Sequence, residues 1–240
     1  MTVFRLSAIP LVLLAMLTLA STAVSMKAVF RKIAVTTCSL HLLFGSLQSA
    51  LAADDGIMSI GDIAVSFKEQ RVPMKTLLGS KATLVFNFAG QCDLPADGEP
   101  QCRDLAKLYS MYKAEGLQVL AFPSEQFRDA SMLGEREAVE DIRENLAKNY
   151  GIDFPIMDYV AVNGGDAAEV YKVMNDIKSI RPKDLKKIEW NYEKYLIDSN
   201  GKPVRRYRPG IMPRELEGDI SDLIMTGKLK PRAKAALGAF

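Results

Sequence analysis

The chain has 240 residues, 48% hydrophobic and 25% charged, a composition that suits one ordinary globular domain with extensions, or two small domains. Its 31 basic and 29 acidic residues nearly cancel, and Arg5, Lys27, Arg31 and Lys32 are the only charges among residues 1–52; subtracting these four leaves 27 basic against 29 acidic, so the remainder carries no basic footprint for a nucleic acid. The single histidine, His41, lies in the same N-terminal stretch, which excludes from the rest of the chain a Ser-His-Asp or Cys-His hydrolase and a histidine-ligated metal site.

Residues 1–52 contain two apolar runs, each behind a basic segment: Ile9 to Ala20 after Arg5, and Ile33 to Ala52 after Arg31-Lys32. Each resembles the hydrophobic region of a signal peptide, and Ala50-Leu51-Ala52 is a small-x-small cleavage pattern. Three readings stand side by side: one signal peptide starting at Met26, a two-part leader for a two-step import, or a retained anchor. All three place the chain on an export route, secreted or delivered to an organelle lumen. The expected division is a leader over 1–52, a folded domain over 53–227 and a basic tail over 228–240. Cys38 goes with the leader, so Cys92 and Cys102 are the thiols of the domain. Two thiols ten apart can pair in an oxidising compartment, but they are too few for a zinc site built from four cysteines.

In chain order, Ile57 to Phe67 reads as a strand or hairpin, and Ala82 to Phe88 as a buried strand. Residues 93–100, with Pro95, Gly98 and Pro100, read as a loop. Arg103 to Ala114 has Leu105, Leu108, Met111 and Tyr112 at helical spacing, Gly116 ends that helix, and Leu117 to Phe122 is the next buried strand. A second helix is expected over 135–149, a short strand at 154–157 and helical residues over 167–175. Trp190 to Ile197 and Pro203 to Tyr207 form a hairpin around the Asn200-Gly201 turn, and Glu215 to Met225 is a final helix with an acidic first turn. No repeat and no Gly-rich phosphate loop is present. This alternation, with a cysteine after the first central strand, predicts an α/β, thioredoxin-like fold: a central mixed sheet flanked by helices.

A thiol at a strand exit near a helix N-terminus sits where its anion can be stabilised. By spacing alone Cys92 reads first as a small buried hydrophobe, Trp190 as a packing anchor and Gln126 as a surface amide.

Four segments together resemble the glutathione peroxidase family. Asn87-Phe88-Ala89-Gly90-Gln91-Cys92 is similar to its N-x-A-x-x-C strand exit, and Phe122-Pro123-Ser124-Glu125-Gln126-Phe127 to its F-P-x-x-Q-F turn. Phe154-Pro155-Ile156 with Val162-Asn163-Gly164 resembles F-P-I…V-N-G, and Trp190 to Leu196 resembles W-N-F-x-K-F-L. The resemblance spans about residues 57–226 and implies a thiol-dependent peroxidase that reduces hydrogen peroxide or organic and lipid hydroperoxides. It implies a catalytic set of Cys92, Gln126, Trp190 and Asn191, no metal and no bound cofactor. Glutathione or a thioredoxin-like thiol would be the reductant, and the short stretch 178–187 resembles the monomeric type. The chemistry suits a histidine-free site: amide and indole N–H groups aimed at a thiolate lower its pKa without a cation, and attack on a peroxide leaves a sulfenic acid on Cys92.

The chain departs from the family pattern at Asp93, beside Cys92; in the longer segment 93–101; at Cys102, where the family typically has Tyr; and in lacking both a Q-E-P-G stretch and the usual resolving cysteine before F-P-I. A carboxylate beside Cys92 is expected to raise its pKa unless it points away. Cys102 is the candidate resolving cysteine, or else structural. Two other readings remain open: a redox sensor or relay working through a Cys92–Cys102 disulfide, and a non-enzymatic thioredoxin-fold module locked by that bridge.

Overall fold

In a computed structural model, residues 59–92, 98–128, 137–181 and 185–231 are described. The expected leader over 1–52 with His41 and Cys38, the position of Asp93, and the tail beyond 231 lie outside them. The elements are β1 (Ala64–Phe67), β2 (Gln70–Pro73), β3 (Ala82–Phe88), α1 (Gly98–Tyr112), β4 (Leu117–Pro123), α2 (Val139–Tyr150), α3 (Glu169–Asp176), β5 (Lys194–Asp198), β6 (Pro203–Tyr207) and α4 (Glu217–Thr226). Strands β1 and β2 form a separate hairpin, and the main sheet has the order β4-β3-β5-β6. Strand β3 runs parallel to β4 and antiparallel to β5, so the sheet is mixed, as the sequence predicts.

All seven residues of β3 are buried, because helices cover one face of the sheet and the hairpin with α3 covers the other. Side chains alternate across a strand. Leu84, Phe86 and Phe88 therefore pack with Leu105 and Leu108 of α1, Ile142 and Leu146 of α2, and Ile220 and Leu223 of α4. Val85 points the other way, into a core with Leu120 and Phe122 of β4, Val170, Tyr171 and Met174 of α3, and Ile63, Val65 and Met74 around the hairpin. Burying each of these side chains contributes roughly 1.5–3 kcal/mol relative to exposure.

Four sequence expectations need correction. Helix α1 begins at Gly98, five residues before Arg103, so part of the stretch read as a loop is helical. Pro100 falls in its first turn, where a missing N–H breaks no helical bond, so this proline marks a helix start. Residues 154–157 form no strand: Ile156 makes a single parallel bridge to Ala121 beside β4. Residues 190–193 are not strand but a bend and turn centred on Asn191 and Tyr192, and the strand begins only at Lys194, because Tyr192 adopts φ 64° and breaks the extended run. The last helix opens as a 3-10 turn over Pro213–Leu216. The Asn-Gly hairpin turn stands as expected: Gly201 has φ 75°, and Asp198 Oδ1 accepts the N–H groups of Asn200 and Lys202. Among the described residues no helix is long and apolar enough to cross a membrane.

Candidate active site

Strands β3 and β4 are parallel neighbours, so both chains leave the sheet at the same end. From β3 the chain passes through Gly90, at φ 87°; a Cβ there would lie 3.0 Å from the Tyr159 hydroxyl and 3.1 Å from Ile142 Cδ1, so both the backbone and the space call for glycine. Two residues later Cys92 is disulfide-bonded to Cys102, the fifth residue of α1, with the two Cα atoms 6.0 Å apart. Both cysteines are buried, at 2% and 1% exposure. The bridge thus joins the strand exit to the start of the following helix.

The other predicted residues fall into two hydrogen-bonded groups. Asn87, buried in β3, donates through Nδ2 to the Trp190 carbonyl at 3.1 Å, and its own carbonyl accepts the Tyr192 N–H at 2.6 Å. One asparagine thereby clamps the turn that carries Trp190 and Asn191 onto the active-site strand. Lys194 braces that turn from behind, its buried ammonium donating to the carbonyls of Tyr192 at 2.6 Å and Ile211 at 2.8 Å. Trp190 is 46% exposed and lies against Phe127, with ring centroids 5.7 Å apart. Asn191 is buried, and its Oδ1 has no hydrogen-bond partner among the described residues.

Gln126 belongs to the second group. Its Oε1 accepts the N–H groups of Val162 at 2.7 Å and Asn163 at 2.9 Å, while its Nε2 donates to the Asn163 carbonyl at 3.0 Å. Asn163 then pairs with Ile188 in both directions, Nδ2 to carbonyl at 2.8 Å and Oδ1 from N–H at 2.9 Å. Ile188 stands two residues before Trp190. In this disulfide form none of Gln126, Trp190 and Asn191 is hydrogen-bonded to the Cys92 sulfur, and the Gln126 amide commits its carbonyl and one of its two N–H groups to backbone. Its link to the site runs through Asn163 and Ile188 to the segment bearing the indole.

Sequence reasoning did not single out Asn87, Asn163 or Tyr192 as site residues. The signal was present for all three, since each lies inside a quoted motif, but a motif does not show which side chain holds which backbone group. The phenol of Tyr192 lies 3.7 Å from Cys102 Sγ and 3.4 Å from the Gln91 carbonyl. Its ring stacks on Phe86 at 6.1 Å with an interplanar angle of 16°. Behind the turn Glu193 and Arg206 form a fully buried ion pair, and Arg206 also donates to the carbonyls of Leu185 and Lys187. Burial raises the Glu193 carboxyl above the ordinary range, and Arg206 works against that rise. Among the described residues no group of three His, Cys, Asp or Glu side chains could hold a metal ion.

Comparisons with known proteins agree with this architecture. The family model described as Glutathione peroxidase matches residues 62–175. A probable phospholipid hydroperoxide glutathione peroxidase of Mesembryanthemum crystallinum is 41% identical over 146 residues, covering 61% of this chain and 81% of its own. The glutathione peroxidase-like peroxiredoxin HYR1 of Saccharomyces cerevisiae is 37% identical over 162 residues, 67% of this chain and 92% of its own. Among solved structures, T. cruzi GPX1 is 27% identical, covers 72% of this chain and 100% of its own, and superposes with a TM-score of 0.56. With the four motifs knitted around one strand exit, and with relatives matched over most of their length, the chain belongs to the glutathione peroxidase family.

Proposed function

We propose that the protein is a thiol-dependent peroxidase that reduces hydroperoxides through Cys92 and resolves the resulting sulfenic acid with Cys102. The pairing of these two sulfurs across the β3 exit and the start of α1 carries this reading. The Cys92 thiolate attacks one peroxide oxygen, the O–O bond breaks and the alcohol departs with a proton. Cys102 then attacks the Cys92 sulfenic acid; the S–S bond forms and water leaves. Two equivalents of an external thiol, or one dithiol, return both cysteines to thiols and carry away the two electrons as a disulfide. The Trp190 indole and the Asn191 amide are the candidate donors to the Cys92 thiolate in the reduced form, with Gln126 supporting their segment. The names of relatives from plants, which specify phospholipid hydroperoxide, favour lipid as well as soluble hydroperoxides as substrates. The short stretch before Trp190 favours a monomer, and a disulfide cycle suits a chain exported behind its N-terminal leader.

The test is a single turnover of reduced protein with one equivalent of peroxide, read by intact mass and thiol count. Loss of two thiols and two hydrogens is expected. Gain of one oxygen on Cys92 without closure would overturn the role of Cys102 and leave a one-cysteine cycle. A second reading, a module locked by a structural bridge, draws on the burial of both sulfurs. Resistance of the bridge to mild reductant, together with no peroxide consumption, would favour it.

A further inference from the structure

Tyr192 makes a contact that the peroxide-reducing step does not use. Its hydroxyl is 3.7 Å from Cys102 Sγ and 3.4 Å from the Gln91 carbonyl oxygen. A disulfide sulfur carries no proton, so the phenol is the donor, and its one proton is shared between a sulfur and a carbonyl. The position of this hydroxyl is set by the fold rather than by a rotamer choice. The Tyr192 N–H is bound to the Asn87 carbonyl, its backbone sits at φ 64°, its ring is stacked on Phe86 and the residue is 1% exposed.

We propose that the Tyr192 hydroxyl is the hydrogen-bond donor that stabilises the Cys102 thiolate, making Cys102 the attacking sulfur in closure and the leaving sulfur when a thiol reductant reopens the bridge at Cys92. As Cys102 gains charge it becomes a much stronger acceptor than the Gln91 carbonyl, and the shared proton turns toward it; a charge-assisted bond of this kind is about twice as strong as a neutral one. In closure, Cys102–S⁻ attacks the sulfur of Cys92–SOH, the S–O bond breaks and hydroxide leaves to become water with a proton from solvent. In reopening, a small-molecule thiolate attacks Cys92 Sγ, the S–S bond breaks and its electron pair stays on Cys102, held by the phenol until solvent returns a proton. The lower the pKa of the departing thiol, the faster it leaves, so the phenol directs the reductant to Cys92.

Among the described residues, charged side chains near Cys102 and Tyr192 are held by other groups. On its own helix, Arg103 lies over the Tyr150 ring and Asp104 pairs with Arg214. Beside Tyr192, Glu193 pairs with Arg206, and Lys194 donates to the Tyr192 and Ile211 carbonyls. Glu137, preceding α2, accepts from Gln91 Nε2, while Glu217 and Asp219 of α4 accept from Tyr112 and from Arg205 and Tyr207.

The inference rests on the Cys92–Cys102 cycle, and the test separates the two. Cys102 is alkylated across pH in Cys92→Ser and in Cys92→Ser/Tyr192→Phe, and disulfide closure after one equivalent of hydrogen peroxide is timed in wild type and in Tyr192→Phe. Loss of a hydrogen bond to a charged group should raise the Cys102 alkylation midpoint by about one to two pH units. Closure at neutral pH should then slow about three- to tenfold, because the smaller thiolate fraction outweighs the gain in nucleophilicity. An unshifted midpoint with unchanged closure would overturn the role of Tyr192 and leave the cycle intact. A wild-type protein that adds one oxygen and never closes would overturn the cycle and this inference with it. Phenylalanine keeps the ring on Phe86, so a folding defect is not expected; a shared loss of thermal stability in both readouts would be visible by circular dichroism.

Discussion

The exits of β3 and β4 are neighbours at one end of the sheet, yet they end in opposite ways. The first delivers a sulfur whose partner is another reactive atom, Cys102. The second delivers an amide whose three hydrogen bonds all go to backbone at Val162 and Asn163. Two residues of one motif set are thus held in different ways: Cys92 by a covalent bridge to the next helix, and Gln126 by hydrogen bonds to backbone. A polar side chain is available for chemistry only to the extent that the scaffold leaves its hydrogen bonds uncommitted, and adjacency in a motif does not reveal that.

The largest break in this contrast comes from the sulfur. Cys92→Ser is expected to abolish peroxidase turnover, measured by peroxide consumption with a dithiol reductant; retained turnover would remove Cys92 from its role. Next in size, Trp190→Ala or Asn191→Ala should slow oxidation of Cys92 by about tenfold to a hundredfold, the effect of losing a hydrogen bond to a charged group. Stopped-flow rates unchanged in both variants would show that the turn clamped by Asn87 only packs.

Gln126→Ala sharpens the comparison from the other side. It should cost about 1–2 kcal/mol of stability, since it strands the buried Val162 N–H, while activity falls less than for Trp190→Ala. Denaturant midpoints and rates measured side by side decide this; a collapse of activity at full stability would make Gln126 a direct participant. The smallest effect concerns acid. Burial tends to raise the Asp158 carboxyl, but the Ser66 hydroxyl, the Glu69 N–H and Arg143 outweigh it and hold the group below its ordinary value of 3.8. A carboxyl depressed in the folded state stabilises the protein fully above its unfolded value, and that contribution is lost as pH falls through the folded value. Urea midpoints should therefore decline below about pH 4 in the wild type, and Asp158→Asn should flatten that decline.

Much of this molecule was legible in its sequence, for reasons that differ by element. The apolar run of β3 and the periodicity of Leu105 and Leu108 identify a buried strand and a helix, because burial on two faces or on one leaves distinct patterns. The start of α1 was hidden because Pro100 is both a loop signal and a good first-turn residue. The turn at 190–193 was hidden because Tyr192 at φ 64° is held there by Asn87, a contact spanning more than a hundred residues that no local pattern encodes. For the site, the motifs located Cys92, Trp190 and Asn191 at one end of the sheet. The indirect attachment of Gln126 and the approach of Tyr192 to Cys102 depend on side-chain contacts between segments, and sequence spacing carries no information about those.

The turn clamped by Asn87 also holds the only tryptophan of the chain. All indole fluorescence of this protein therefore originates beside the site, from a ring that is 46% exposed and leans on Phe127. Excitation at the red edge of the tyrosine band reports on that corner alone, without a label or an engineered probe. Emission wavelength and quenching by iodide or acrylamide therefore offer a label-free test of whether the proposed opening and closing of the Cys92–Cys102 bridge is felt by this turn.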